Sequence, residues 1–497
     1  MDFLDPKKKR NQKIRLTIGH ALMALLVFIG TYLLVFRAYG YDFDTKTGEV
    51  IQEGLVYIDS TPGGANISIN GRANGQQTGT RLSLQEGKYS LELTRDGYSP
   101  WRRDFELQGG EVARYDYAFL FPIKPDTGEV QTFSAKPDFV TQSPDRRWIL
   151  LAEKGKLNNM TLYDLNRRTD DQPNTTSLTF PSGLFAEAPG KHVLKLVEWS
   201  TDNRHILVRH DFRGGREFIV LDRENAAESY NVNRTLNRDP DKVTLFDKKF
   251  DRLLIYDAKS KRLSRADIDD RPNISTIASN VISYKSHGDD TVLLSHIDPK
   301  DKTKAQIIMR QDGKDYLVRR IPTASDIPLD IARYDNSWYV IFGVQSEERA
   351  YIYRDPAAFI TNNPADLRSI RAFVLKSEGR IDEVSFSQNA RFIMAASGRH
   401  FSVYDAEMEK HYSYGLGLKP DKSAKPVWMD GHRIVTSTGE RILIFDYDGT
   451  NKHTLIKADP AMPVMFDRDY EELYSLGSVG KNEYSLSLTE LRTTADR

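Results

Sequence analysis

Ten histidines, no cysteine and a scatter of carboxylates bound the chemistry open to this chain of 497 residues. The absence of cysteine removes a disulfide framework, a thiolate nucleophile and a cysteine zinc site together. His205 and His210 are five apart on one expected strand. Side chains alternate along a strand, so that spacing sends them to opposite faces and makes them poor joint metal ligands. No His-Glu-x-x-His occurs. The stretch Asp446 to Asn451, "DYDGTN", has the composition of a calcium loop, but such a loop needs a Glu at its twelfth position and Lys457 stands there. It reads as an Asp-Gly turn. Gly477-Ser478-Val479-Gly480-Lys481 has the residue types of a phosphate loop without its spacing, and reads as a hairpin loop. Asp269-Asp270 and Asp289-Asp290 read as solvated loop pairs. No G-x-S-x-G elbow is present, so the serine nucleophile of an α/β-hydrolase is not expected. The sequence therefore assigns no catalytic residue, no cofactor-binding residue, no metal ligand and no cofactor.

Charge narrows the partners. Lys+Arg and Asp+Glu each total 70, which gives no basic footprint for a nucleic acid. The balance conceals an asymmetry. Residues 1–15 hold Lys7, Lys8, Lys9, Arg10, Lys13 and Arg15 against Asp2 and Asp5. Without these residues and Arg37, 63 basic and 68 acidic side chains remain.

Between the two regions lies Leu16 to Phe36, "LTIGHALMALLVFIGTYLLVF", 21 residues without Asp, Glu, Lys or Arg. At about 1.5 Å per residue it covers roughly 30 Å, a bilayer's hydrocarbon thickness. Ala38 and Gly40 offer the small residues of a cleavage site, but the apolar core of a signal peptide is shorter, about 7 to 15 residues. The run reads as an uncleaved anchor, with His20 near its interface. The basic flank precedes it and Asp42 and Asp44 follow, so the positive-inside bias puts residues 1–15 in the cytoplasm and the body outside the plasma membrane.

Beyond a linker at 37–53 the pattern turns to period two. Ile67 and Ile69 alternate with Asn66, Ser68 and Asn70. Tyr89, Leu91 and Leu93 alternate with Ser90, Glu92 and Thr94. Such short alternations are strands with one buried face. Pro62-Gly63-Gly64, Asn70-Gly71, Glu86-Gly87 and Asp96-Gly97 mark the turns. Residues 54–122 thus form a small antiparallel β-domain. The stretch "GLVYIDSTPGGANISING…TRLSLQEGKYSLELTRDGYSPW" resembles the PEGA domain, whose naming tetrad stands here as Pro62-Gly63-Gly64-Ala65, departing at its second position. The resemblance covers about 70 residues. It implies a β-sandwich-like module of prokaryotic surface proteins, with no catalytic residues.

After a second linker, 123–138, a looser repeat begins. "FVTQSPDRRWILLAE" at 139 is echoed at 197, 243, 281, 331, 384, 426 and 463, each copy a strand, a turn on Asp, Asn or Gly, and an apolar strand. Most are followed by a strand pair of the type "MTLYDLNRR", "FIVLDREN", "FSVYDAE" or "ILIFDYDG". The spacing of roughly 45 residues is that of a four-stranded propeller blade. The "SPDRRW" and "STDNRH" turns resemble those of TolB-type and WD40-like propellers, which implies a β-propeller over 139–497. Eight starts can be counted, with seven blades and a decayed unit as the alternative. Trp148, Trp199, Trp338 and Trp428 stand near the apolar strands and are expected to pack between blades.

The expected protein is mainly β: a single N-terminal transmembrane helix (16–36), a PEGA-like β-sandwich (54–122) and a seven- or eight-bladed propeller (139–497). The expected function is extracytoplasmic, non-enzymatic binding or scaffolding of an envelope polysaccharide or a surface protein, anchored to the lipid bilayer through residues 16–36. The alternative is a propeller enzyme cleaving glycans or peptides with an acid pair in its channel.

Overall fold

In the computed structural model the described residues are 6–38, 41–43, 50–169, 172–268, 273–362, 371–481 and 483–496. Asp44 and Asp269-Asp270 lie outside them. The apolar run forms part of one helix, Pro6–Ala38. Arg10–Arg37 within it is long and apolar enough to cross a membrane, and Leu22, Leu26, Phe28 and Leu34 are all exposed. The rest of the chain divides into two compact units, 1–124 with 494–497, and 125–493.

The first unit holds two four-stranded sheets. In one, the long strand Val50–Thr61 pairs antiparallel with Tyr41–Phe43 and Thr80–Gln85, and parallel with Val112–Phe119. In the other the order is Arg72–Gln77, Asn66–Ile69, Gly87–Thr94, Trp101–Leu107. Val56, Ile58, Ile67, Leu91, Leu93 and Trp101 bury together as the core. Asn70 (φ 51°) and Gly71 (φ 75°) are both left-handed, which is the two-residue turn whose twist matches paired strands. Gly64 is also left-handed, and a Cβ there would stand 2.9 Å from the Arg95 guanidinium. That guanidinium donates to the Gly63 carbonyl and pairs with Asp496, which also accepts the Tyr98 hydroxyl at 2.6 Å. The stretch 37–53, read above as linker, contributes Tyr41–Phe43 and the beginning of Val50–Thr61. Its charged, non-alternating residues hid both.

The second unit is built from four-stranded antiparallel sheets, eight among the described residues. They are numbered here as blades 1 to 8 in the order of their first strands. These are Phe139–Gln142, Val193–Trp199, Lys242–Leu245, Val281–Ser286, Leu329–Tyr334, Glu383–Phe386, Val427–Trp428 and Met465–Phe466. They fall at the repeat starts marked in the sequence. First strands of neighbouring blades touch directly: Trp199 Nε1 donates to Thr141 Oγ1 at 2.9 Å, Trp428 Nε1 to Ser385 Oγ at 3.1 Å, and Gln142 Nε2 to the Phe466 carbonyl at 2.7 Å. First strands therefore converge on the centre, while fourth strands such as Gln172–Thr179 and Lys410–Gly415 are largely wet.

A blade has two apolar faces, and each is covered by the next blade. Leu150, Met160 and Leu162 of blade 1 bury against Trp199, Ile206 and Ile219 of blade 2. Similar clusters join blades 2 and 3, 3 and 4, 4 and 5, and 5 and 6. Phe392 of blade 6 stacks on Tyr447 of blade 7 at 4.0 Å.

The repeated turn has a physical cause. In blades 1, 2 and 6 the arginine before the second strand forms a fork with an aspartate of the third, at its end in blades 2 and 6 and at an irregularity within it in blade 1. Arg147 meets Asp164 at 2.9 and 2.7 Å, Arg204 meets Asp222 at 2.8 and 2.5 Å, and Arg391 meets Asp405 at 2.9 and 2.7 Å. Each aspartate then accepts backbone N–H groups of the following turn, from Asn166, from Glu224 and Asn225, and from Glu407 and Met408. One ion pair thus fixes two turns of a blade.

Blade 8 differs. Its third strand, Glu483–Glu490, pairs antiparallel with Thr127–Phe133 from the start of the unit. The stretch 123–138, read from sequence as linker, therefore carries the fourth strand of the last blade. Phe133 is buried with Val140 and Ile149 of blade 1 and Tyr474 and Leu486 of blade 8. Truncating a buried Phe costs about 3–5 kcal/mol, so Phe133→Ala is expected to lower the unfolding midpoint of the whole second unit in urea. An unchanged midpoint would show that this strand does not close the ring.

Candidate functional site

The first strands present a belt of ionisable side chains to the centre of the second unit. Lys248 pairs with Glu198, Lys285 Nζ lies 3.3 Å from Asp330, and Lys425 Nζ lies 3.8 Å from Glu383. Lys242 stands over the Tyr284 ring at 4.3 Å. The Lys285 side chain keeps 48% of its surface open to solvent although protein surrounds it, the situation of a residue on a channel wall. The charges act on one another. Asp330 raises the Lys285 pKa above the usual lysine value, against its burial, with Glu198 and Glu383 adding to the effect. Desolvation and the neighbouring Lys285 push Lys242 down. Burial pushes Glu383 above the usual carboxylate range, Asp330 adds to the rise, and Lys425 and Lys285 pull against it.

One end of the channel is bridged. At the turns that follow the first strands, Arg146 of blade 1 reaches the Gln388 side chain of blade 6. Its guanidinium lies 3.9 Å from the centre of the Tyr470 ring of blade 8. The Tyr470 hydroxyl donates to the Met429 carbonyl of blade 7 at 2.9 Å, and Gln388 Nε2 donates to the same carbonyl at 2.7 Å. Nearby, burial and the charges of Glu472 and Glu471 push Asp467 up to about 6.

At the opposite end, beside the beginnings of the first strands of blades 6 and 7, lies a cavity of about 700 Å³. Glu383 and Lys425 belong to its wall, with Asp382, Arg399, Lys419, Asp421, Lys422 and Thr436. Asp382 accepts the Gly398 N–H at 2.9 Å. Asp421 accepts the Ser437 hydroxyl at 2.7 Å and the Gly439 and Glu440 N–H groups at 3.1 and 3.0 Å. Both carboxylates are held by the end of the second strand and the turn after it in their own blades, which leaves Glu383 as the acid available to the cavity.

The residues singled out in the sequence fall elsewhere. His205 and His210 share the strand His205–Phe212 and keep separate company. His205 stacks on Phe250 at 3.6 Å and lies 2.6 Å from Asp202. His210 is wholly buried, with Nδ1 2.8 Å from Glu217 Oε1 and Nε2 2.8 Å from His192 Nδ1, while His192 Nε2 lies 2.8 Å from the Ala188 carbonyl. Burial opposes ionisation of Glu217, yet the bonds from His210, the Ala186 N–H and Asn231 hold its carboxyl below the usual range. This chain pins the loop before blade 2; among the described residues no group of three or more His, Asp or Glu side chains has metal-site geometry.

Trp199 and Trp338 are buried, Trp338 with its ring edge-on to His287 at 5.0 Å. Trp148 lies between the guanidinium groups of Arg147 and Arg223, at 4.4 and 4.2 Å. In "DYDGTN", Asp446 accepts from Asn451 Nδ2 and Asp448 from the Thr450 hydroxyl, so the turn consumes its own carboxylates. Gly477 to Gly480 lie on the hairpin strand Glu472–Gly480. Asp289 and Asp290 occupy the exposed turn of blade 4, and the Asp290 N–H donates to Asp247 of blade 3. Glu198, Lys242, Lys285, Asp330 and Glu383 carry no local motif; each stands on the first strand of its blade, and the repeat that marks those strands is the signal that finds them.

The class so defined is a β-propeller joined to a PEGA domain and preceded by an apolar helix. Residues 53–120 match the PEGA domain model. No curated protein matches the chain. Solved structures with a similar fold include the WD40 domain of SCAP from fission yeast, at 11% identity and a TM-score of 0.39, covering 72% of this chain and 92% of that one. Apo AztD from Citrobacter koseri gives 13% identity and a TM-score of 0.38, covering 74% and 92%. An oligogalacturonate lyase from Vibrio parahaemolyticus gives 10% and 0.39, covering 75% and 99%. These are likenesses of fold.

Ionising Glu383 is harder in the folded protein than in the unfolded chain, so unfolding releases a proton between the ordinary carboxylate pKa and the raised one. Its contribution to stability therefore falls as pH rises through that window. Glu383→Gln is expected to raise the melting temperature at pH 7 and to leave it unchanged near pH 3.5, below both values. An equal rise at both pH values would show that the gain has no electrostatic origin.

Proposed function

We propose that this chain is a membrane-anchored binding protein of the cell envelope, held by residues 16–36 in the plasma membrane. Its short basic tail stands in the cytoplasm, its PEGA-like module and propeller stand on the outer face, and an envelope polysaccharide is its partner. The orientation is supported by the concentration of Lys and Arg before the apolar run. The binding role is carried by one observation: Lys248 with Glu198, Lys285 with Asp330 and Lys425 with Glu383 are paired, while the open end leads into a cavity whose cations Lys419, Lys422 and Arg399 have no acidic partner among the described residues. Paired charges make a rigid wall, and unpaired ones a surface for a ligand.

A second reading, an enzyme acting on glycans or peptides, draws on Glu383, whose raised pKa and proximity to Asp330 are the properties of a proton donor beside a carboxylate.

The test uses the full chain in nanodiscs, sedimented with insoluble envelope polysaccharide from its own source. Co-sedimentation that soluble polysaccharide competes away supports the binding reading. Recovery of all the protein in the supernatant at low and high salt would sink it and turn attention to a surface protein as partner. Shortening of the polysaccharide during the incubation, abolished by Glu383→Gln, would replace binding by the enzymatic reading.

A further inference from the structure

The cavity between blades 6 and 7 is walled by groups of two kinds. Ala396, Pro420, Ala424 and Pro426 give it an apolar lining, and Arg399, Lys419, Lys422 and Lys425 give it a cationic rim. Its wall also holds three carboxylates: Asp382 and Asp421 accept from the end of the second strand and the turn after it in their own blades, and Glu383 faces Lys425. Four cations thus stand against three carboxylates, and Arg399, Lys419 and Lys422 form no ion pair among the described residues.

A second observation concerns the backbone. A smaller cavity of about 270 Å³, between blades 7 and 8, shares Ala424 and Lys425 with the first. Both residues belong to the segment before the first strand of blade 7, Val427–Trp428, which is just two residues long.

We propose that this cavity is the binding site for an anionic sugar chain, with Lys419, Lys422, Lys425 and Arg399 meeting its negative groups. The proposal rests on the binding reading above and gives it a place and a ligand class. A volume of about 700 Å³ lies in the range of sites for small organic ligands. The apolar wall matches the C–H face of a sugar ring. Glu383, beside Lys425, accepts from a further hydroxyl. Carboxylate and phosphodiester groups would satisfy the rim equally, so the shared chemistry is an anion carried on a polyol.

The experiment is fluorescence anisotropy with the full chain in uncharged nanodiscs and a fluorescein-labelled trimannuronate, competed by neutral mannotriose and by a glycerol-phosphate oligomer. Expected are saturable binding that weakens about tenfold between roughly 50 mM and 300 mM salt as charges are screened, and no competition by mannotriose. Lys422→Ala with Lys425→Ala is expected to weaken binding about tenfold or more, and Lys419→Ala several-fold, with the melting temperature of each variant recorded to show that it is folded. Competition by the glycerol-phosphate oligomer supports the anionic class and adds phosphate polymers as a source; its failure restricts the class to carboxylates. Equal competition by mannotriose, or wild-type affinity in both folded variants, overturns the proposal. Should the same variants still co-sediment undiminished with envelope polysaccharide, the cavity is wrong while the binding reading survives. If the unaltered chain fails to sediment, the binding reading itself has failed.

Discussion

Every sheet of the second unit has two apolar faces and none of its own residues to cover them, so the stability of each blade depends on its neighbours and the whole depends on closing the ring. Blades covered in sequence order leave one junction, between the last and the first, that no adjacent pair of repeats can supply. The chain meets this by giving Thr127–Phe133 to blade 8 before blade 1 begins. Residues from the two ends of the unit are then hydrogen-bonded side by side, with Phe133, Val140, Tyr474 and Leu486 in one buried cluster. Pairing across so long a chain has a large loop-closure cost that grows only slowly with length, and the buried junction on the next blade offsets it.

Closure also makes the channel. First strands that would be edges in an open sheet are brought into a ring, and side chains far apart in sequence meet as a charged belt. Glu198, Lys242, Lys285, Asp330 and Glu383 come from five successive blades and influence one another's protonation. The ring treats its two ends differently. The turns after the first strands are tied together by Arg146, Tyr470, Met429 and Gln388, while the other end opens beside blade 7, whose first strand is two residues long. A rigid body with one bridged and one open end is suited to presenting a site on a single face.

Local signals in the sequence were read well where the physics is local. The Asn70-Gly71 turn, the alternation that buries Ile67, Leu91 and Leu93, and the "SPDRRW" turn with its later "LYD" all depend on residues close together or one hairpin apart. The Arg147–Asp164 fork explains why that turn recurs: the two residues stand opposite each other across one hairpin, so the spacing is fixed by the strand lengths. Tyr41–Phe43 and Thr127–Phe133 were read as linkers because their pairing partners, not their own patterns, make them strands. The same reason hid the histidine chain, since His192 and Glu217 bracket His210 from separate segments and none of the three has a motif.

By itself the sequence determined the apolar helix, the β-module and its PEGA turns, and a propeller-like repeat, because helix length, period-two burial and turn chemistry are properties of short segments. Only the tertiary structure decided which strand closes the ring, which charges share the channel, which end is bridged and where cations of two blades line one cavity. Those are contacts between segments tens to hundreds of residues apart, and their formation depends on the geometry of a closed ring that no short stretch of chain encodes.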